Sequence, residues 1–283
     1  MTLVLRITYH AVRADHDWKG CQILPVVDAN GLRVSYTDAG SGMPVVFVPD
    51  ITGSQDWFVY QRSGLADRYR VISYDLRQAR GKESYTLELL TNDLARFLTK
   101  LKIRAAVIVG HSFGGLIAMQ FAVSYPERCL ALVLSSTAPE CPNLSDEELL
   151  SHLQAGEVKF ENWFERRWKK LFKPGRTEEE KPNPLGYLAK HSGNIDQPTL
   201  AARLRILRET DLTPSLNGVE APTLIITGSL DTPYILHGSQ VIEQKIEDST
   251  LEVIEGAGHF AFYLRYDLYN DLLADFLAYR VVI

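Results

Sequence analysis

Ala105-Ala106-Val107-Ile108-Val109-Gly110-His111-Ser112-Phe113-Gly114-Gly115, followed by Leu116 to Tyr125 without a helix breaker, decides the reading of this chain. The apolar run rich in β-branched residues predicts a buried strand, the glycine-flanked serine a sharp turn, and the remainder a helix. Glycines two residues before and two after Ser112 remove side chains that would collide where the backbone reverses from strand into helix. The serine hydroxyl is thereby left above the sheet edge, facing the N-terminal N–H groups of the helix. Negative charge developing on a substrate oxygen would meet donors already in place.

A serine nucleophile needs a base and a group to orient that base, and the downstream sequence offers both. Thr223-Leu224-Ile225-Ile226-Thr227 reads as a second strand running into Gly228-Ser229-Leu230-Asp231-Thr232-Pro233. Leu251-Glu252-Val253-Ile254 reads as a third, running into Gly256-Ala257-Gly258-His259-Phe260. In a parallel sheet all three loops open on one edge, where the sites of open α/β folds are built. Each residue taken alone has a blander reading: Asp231 as a helix N-cap before Pro233, and His259 as the first residue of a helix through Tyr279. The Ser…Asp…His order, with every member at a strand end, favours catalysis. His111 precedes the serine and is expected to point into the core; the remaining histidines follow no strand.

From about Ile23 to Ile283 the chain resembles the α/β-hydrolase superfamily, in its branch with a helical cap between strands six and seven. Gly110-His111-Ser112-Phe113-Gly114-Gly115, the Gly228…Asp231 loop and Gly256-Ala257-Gly258-His259 carry the resemblance. It implies an α/β fold with a mostly parallel central sheet and helices on both faces. It also implies Ser112 as nucleophile, His259 as base, Asp231 as its orienter, and an oxyanion hole from the backbone N–H groups of Phe113 and Ile51. The chain divides as an N-terminal extension (1–22), a first core part (23–140), a cap (141–217) and a second core part (218–283). The resemblance leaves residues 1–22 open as an extension, an added edge strand or a misassigned start.

Two stretches depart from the family pattern. After Val45-Val46-Phe47-Val48, where the family usually carries His-Gly, this chain reads Pro49-Asp50-Ile51-Thr52-Gly53-Ser54. Proline donates no N–H, and Asp50 brings a carboxylate where the family has no side chain. An ionised carboxylate about 6 Å from an oxyanion would oppose it by roughly 3 kcal/mol at an effective dielectric near 20. The favoured expectation is that Asp50 turns outward to pair with Arg77 or Arg80; the alternatives are a protonated donor, or a brake on turnover. The second departure is Asp75-Leu76-Arg77-Gln78-Ala79-Arg80-Gly81, where the family often shows Asp-x-Arg-Gly-x-Gly, and an altered loop path is expected.

Organisation elsewhere follows the turn signals. Leu24 to Asp28 and Leu32 to Asp38, joined through Asn30-Gly31, predict an antiparallel hairpin opening the sheet. Arg70 to Tyr74 and Ala131 to Leu134 predict further strands. Thr86 to Leu101 predicts an amphipathic helix with Leu87, Leu89, Leu90, Leu94, Phe97 and Leu98 buried. Between Cys141 and Asn217 the strand–helix alternation stops. There Ser145-Asp146-Glu147-Glu148 reads as a capping box, and Phe160, Trp163, Phe164, Trp168, Leu171 and Phe172 form one aromatic helix face. That face packs on the core, or part of it roofs the site, in which case Trp163, Trp168, Asp50 and Phe260 are the substrate contacts.

At 283 residues the chain can bury a full core, and its net charge of −5 leaves no basic footprint for nucleic acid. Three cysteines, Cys21, Cys129 and Cys141, form an odd set without metal-ligand spacing, so reduced thiols, a cytoplasmic setting and no metal are expected. No segment reads as a signal peptide or membrane span, no cofactor is implied, and the partner is a small molecule. The chemistry expected is acyl transfer to water through an acyl-serine. By resemblance, serine rather than aspartate at position 112 argues against dehalogenase or epoxide-hydrolase chemistry, and His111 against carbon–carbon-bond hydrolysis. Thioesterases, lactonases, acyltransferases and perhydrolases share the triad, and a slow-turnover ligand receptor or signalling protein would retain it as well.

Overall fold

The computed structural model describes residues 25–29, 31–79, 84–141 and 195–281. Among them eight strands form one sheet: β1 (Val26–Asp28), β2 (Arg33–Ala39), β3 (Pro44–Val48), β4 (Arg70–Tyr74), β5 (Ala106–His111), β6 (Cys129–Ser135), β7 (Thr223–Gly228) and β8 (Ser249–Ile254). Their spatial order is β1-β2-β4-β3-β5-β6-β7-β8. The first two strands pair antiparallel, β2 pairs antiparallel with β4, and every later pairing is parallel. The opening hairpin closes as its sequence requires: the Gly31 N–H donates to Asp28 Oδ1 (2.6 Å), and Gly31 takes φ +86°.

The central strands carry apolar residues on both faces, as strands covered on both sides must. All six residues of β5 are buried, and so are all six of β7. Registers His111↔Ser135, Ser135↔Ile226 and Gly228↔Ile254 align the C-terminal ends of β5 to β8 on one edge. The loops after those ends hold Ser112, Asp231 and His259.

Helix α1 (Val59–Leu65) packs with α6 (Ala261–Leu264) and α7 (Tyr266–Arg280), whereas α2 (Leu87–Lys100) packs with α3 (Phe113–Ser124). In α2, Thr86 caps the N-terminus by accepting from the Leu89 N–H (3.1 Å). Leu90, Leu94, Phe97 and Leu98 are buried as the periodicity predicts, while Leu87 and Leu89 are half-buried and Asp93 is buried in their company. Helix α4 (Gln197–Glu209) and α5 (Pro233–Lys245) complete the described helices of eight or more residues. The expected single helix through Tyr279 is interrupted at Arg265, whose φ/ψ of −122°/43° lies outside the helical range. The capping box and the aromatic face with Trp163 and Trp168 lie outside the described residues, as do residues 1–22. Among the described residues no helix is long and apolar enough to cross a membrane.

The glycines of the quoted stretch are required by contact distance. A Cβ at Gly110 would lie 2.5 Å from the Gly114 carbonyl oxygen, and one at Gly114 would lie 2.3 Å from that of Val48 and 2.4 Å from that of Pro49. Backbone atoms cannot rotate aside, so Gly114→Ala is expected to cost about 3 kcal/mol or more in urea unfolding. Gly218→Ala, where a Cβ meets nothing within 4 Å, serves as the control and should change stability by about 1 kcal/mol at most.

Candidate active site

Ser112 sits directly after β5 with φ 52° and ψ −117°, a strained backbone for a residue with a Cβ. The strain is held from several sides. The Ser112 N–H donates to the Ser135 carbonyl (2.9 Å), and the Ser112 carbonyl accepts from the Gly115 N–H (2.9 Å) and Thr137 Oγ1 (2.7 Å). With Gly114 and Gly115 inside the first turn, α3 starts at Phe113, earlier than the unbroken run from Leu116 suggests. Its N-terminal donors therefore lie immediately beside the serine.

The loops after β7 and β8 are joined to each other. The Ser229 N–H donates to the Ile254 carbonyl (3.0 Å), the Leu230 N–H to that of Ala257 (2.8 Å), and the Gly256 N–H to Ser229 Oγ (2.9 Å). Gly228 permits this approach, since a Cβ there would lie 2.2 Å from the Ala257 carbonyl oxygen. Asp231 does not cap α5; Thr232 does, accepting from the Ile235 N–H at 3.3 Å. The Asp231 carboxylate is thereby left to receive His259 Nδ1, which lies 3.1 Å from both oxygens, while the Thr232 N–H donates to Oδ1 (2.8 Å).

On its other side His259 Nε2 lies 3.1 Å from Ser112 Oγ. A carboxylate only accepts, so the Nδ1 proton faces Asp231 and the Nε2 lone pair faces the serine hydroxyl. Asp231 and His259 are buried, and Ser112 is partly exposed. The three sequence-selected residues are therefore within hydrogen-bonding distance in the order Asp231–His259–Ser112, an arrangement able to draw a proton from the serine as it attacks a carbonyl.

The aromatic surroundings fix the imidazole. Phe260, expected as a substrate contact, has no exposed surface; it packs edge-on to His259 (centroids 5.5 Å apart, 84°) and against Trp57 and His111. Its side chain supports the base from behind. His111 is buried as expected, with Nδ1 donating to the Ser135 carbonyl (3.1 Å). Burial, aided by the nearby His259, holds its pKa well below the usual histidine value, so it stays neutral.

The expectation of an outward-turned Asp50 is overturned. Asp50 is fully buried, and Oδ1 accepts from the Thr52 N–H (3.0 Å) and the Thr52 hydroxyl (2.6 Å). Arg77 pairs instead with Asp93 (2.5 Å), and Arg80 lies outside the described residues. The reason is local: a carboxylate two residues before a free N–H and a hydroxyl closes an Asx turn on itself, which a surface partner cannot match. Burial raises the Asp50 pKa to about 6, against the lowering by the Thr52 bonds and by His259 and Arg203.

This shift has a stability consequence with a definite sign. A raised folded-state pKa means the native state favours the neutral acid, so the stabilisation is complete below the unfolded value of 3.8 and is lost as pH rises through about 6. The difference of about two pKa units corresponds to about 3 kcal/mol. Asp50→Asn keeps the Oδ1 acceptor without the charge. It is expected to be more stable than the wild type by about 3 kcal/mol at pH 8 and by about half that at pH 5, in urea unfolding. An advantage that grows toward acid pH would refute the assignment.

One residue that sequence reasoning passed over is Arg203 on α4. It is fully buried and donates from Nε to the Tyr85 hydroxyl (2.9 Å), from Nη1 to the Ile51 carbonyl (2.7 Å) and from Nη2 to the Arg77 carbonyl (2.9 Å). The available signal was an arginine inside the apolar stripe Leu200, Leu204, Leu207. The described part of the Asp75 loop is organised around it: Tyr85 donates to the Arg77 carbonyl (2.8 Å), and the Ala79 N–H to Thr199 Oγ1 of α4 (2.7 Å).

Residues 43–266 match the family described as alpha/beta hydrolase fold. The chain is 26% identical over 241 residues to a provisionally named carbamate hydrolase, RutD, of Cronobacter sakazakii, covering 81% of this chain and 88% of that one. It is 28% identical over 198 residues to 3-oxoadipate enol-lactonase 2 of Acinetobacter baylyi, covering 68% of this chain and 72% of that one. Among solved structures, the enol-lactonase of Burkholderia xenovorans superimposes with a TM-score of 0.79 at 22% identity, covering 90% of this chain and all of that one. The chain belongs to the family of enzymes with the α/β-hydrolase fold.

Proposed function

We propose that this protein is a serine hydrolase that cleaves a carboxylic ester, thioester or lactone of a small, largely apolar substrate through an acyl-serine. The observation that carries the reading is the continuous pair of contacts from Asp231 through His259 to Ser112 Oγ, each 3.1 Å. His259 takes the Ser112 proton as Oγ bonds to the substrate carbonyl carbon. The oxyanion so formed faces the N–H groups of Phe113 and Ile51. Collapse expels the alcohol, protonated by His259, and the same base then activates water to release the acid.

The relatives named as lactonases support putting lactones in the first screen. Transfer to an acceptor other than water uses the same first half-reaction, so an acyltransferase or perhydrolase differs only in what enters second. The slow-turnover receptor drew its support from the Asp50 carboxylate as a brake in the oxyanion loop, and the Oδ1 bonds to Thr52, which give that carboxylate a role within the turn, weigh against it. The odd cysteine count and the buried Cys129 thiol support a reducing, cytoplasmic setting. The experiment is labelling by a fluorophosphonate, mapped by mass spectrometry, beside a panel of aryl esters, thioesters and lactones. Label at Ser112 that Ser112→Ala abolishes supports the assignment; turnover without label at Ser112 overturns it.

We place a cap at residues 141–217, with Trp163 and Trp168 lining the acyl pocket. Alanine at either position is expected to shift acyl-chain preference or raise KM several-fold, about 1–3 kcal/mol of substrate discrimination. If both variants lower the melting temperature and leave chain-length preference unchanged, the aromatic face serves packing alone.

A further inference from the structure

Backbone and side-chain hydrogen bonds hold the Asp50–Gly53 turn on several sides. The Asp50 carbonyl accepts from the Gly53 N–H (2.9 Å), closing the turn. The peptide between Ile51 and Thr52 is held at both ends: its carbonyl accepts from Arg203 Nη1 (2.7 Å), and its N–H donates to Asp50 Oδ1 (3.0 Å). The Gly53 carbonyl accepts from the Leu76 N–H (2.9 Å). By contrast, the Ile51 N–H makes no hydrogen bond among the described residues.

The direction of that N–H follows from covalent geometry. In a trans peptide, C=O and N–H point oppositely. The Asp50 carbonyl turns inward to Gly53, so the Ile51 N–H of the same peptide turns out of the turn. The next peptide plane is pinned by a carboxylate on one side and a guanidinium on the other, which stops the turn from rolling. Gly53 adopts φ +77°, and a Cβ there would lie 2.5 Å from Arg203 Nη1, so glycine is what lets the guanidinium reach the carbonyl.

We propose that Asp50 and Arg203 are positioning residues that clamp the Ile51–Thr52 peptide from opposite sides and so aim the Ile51 N–H at the oxyanion, replacing the family's His-Gly loop with a side-chain brace. Arg203 belongs to α4, inside the span 141–217 read as the cap, so the brace also ties that helix to the oxyanion loop. The proposal rests on Ser112 being the nucleophile, and its test separates the two ideas.

The readout is the rate of phosphonylation by a fluorophosphonate, in which Ser112 Oγ bonds to phosphorus, fluoride leaves and His259 takes the Oγ proton. The phosphonyl oxygen then occupies the oxyanion position, so no natural substrate is needed. Asp50→Ala and Arg203→Met are expected to label about tenfold to a hundredfold more slowly, part of the loss known for deleting an oxyanion donor. Asp50→Asn, which keeps the acceptor for the Thr52 N–H, should recover all but about threefold. For an ester turned over by the wild type, kcat should fall with the labelling rate while KM moves less than about twofold, because the ground state does not use the full oxyanion contact.

If a variant fails to fold by circular dichroism, Gly53→Ala and Arg203→Lys take its place. The first pushes the guanidinium off the carbonyl and the second removes its fork; both should slow labelling. Labelled wild type with every variant at the wild-type rate overturns the clamp alone. The clamp also falls if Asp50→Asn is as slow as Asp50→Ala. A wild type that takes no label, or a Ser112→Ala protein that still takes it, overturns the nucleophile first and the clamp with it.

Discussion

Replacing Ser112 or His259 with alanine is expected to lower kcat for any ester this protein hydrolyses by about 10⁶-fold, with the protein still folded. The size follows from the two residues acting as a unit. Among the described residues, the base within hydrogen-bonding reach of Ser112 Oγ is the His259 Nε2 lone pair 3.1 Å away. With either partner gone, the backbone donors and the binding surface remain, and they sustain only the residual rate of such sites, about 10³ to 10⁴ over water. The double variant should therefore be hardly slower than either single one.

Folding is expected to be affected unequally. Ser112→Ala deletes one partly exposed hydroxyl and should cost about 1 kcal/mol. His259→Ala removes a buried ring from the cluster with Phe260 and His111 and leaves Asp231, among the described residues, with the Thr232 N–H alone, so a loss of about 3 kcal/mol is expected. Steady-state rates beside melting curves check both statements. Ser112→Ala protein that melts like the wild type and retains ester hydrolysis would sink the assignment.

The sheet was legible in the sequence because its central strands are buried on both faces, which forces uninterrupted apolar runs such as Val107-Ile108-Val109 and Leu224-Ile225-Ile226. The candidate triad was legible for a related reason. Parallel strands deliver their following loops to one edge, so three chemical residues after three such runs converge whatever their separation in sequence. The break at Arg265 and the early start of α3 escaped notice because apolar periodicity does not register where a backbone torsion leaves the helical range.

Asp50 shows where the reading failed and why. From sequence it reads as a charge seeking an opposite charge, with Arg77 and Arg80 nearby. Its partner is instead the backbone two residues ahead, a contact set by turn geometry that carries no charge signal. The apolar stripe around Arg203 marks it as buried but not what it serves, because it meets Asp50 across a long sequence gap, through the peptide they share rather than by touching it.

Asp231→Asn is expected to reduce kcat by about 10⁴-fold, less than loss of the serine or the histidine, with stability nearly unchanged. The argument turns on which way the new amide faces. The Thr232 N–H donates to Oδ1 at 2.8 Å, so the amide oxygen must take that position and the NH₂ group the position of Oδ2, 3.1 Å from His259 Nδ1. A donor there cannot face an Nδ1 that keeps its own proton. The imidazole therefore moves its proton to Nε2, where it points at Ser112 Oγ and leaves no lone pair to accept the serine proton. The defect is one of tautomer, so it should ease as hydroxide takes over the base's role, and the rate of Asp231→Asn should keep rising with pH above the plateau of the wild type. Asp231→Ala lacks the opposing donor, frees the ring to rotate, and should retain a comparable residual rate without that alkaline rise. An Asp231→Asn enzyme within about tenfold of wild type across the pH range would mean that the carboxylate does not orient His259, and that the Asp231 contacts serve only to join the loops after β7 and β8.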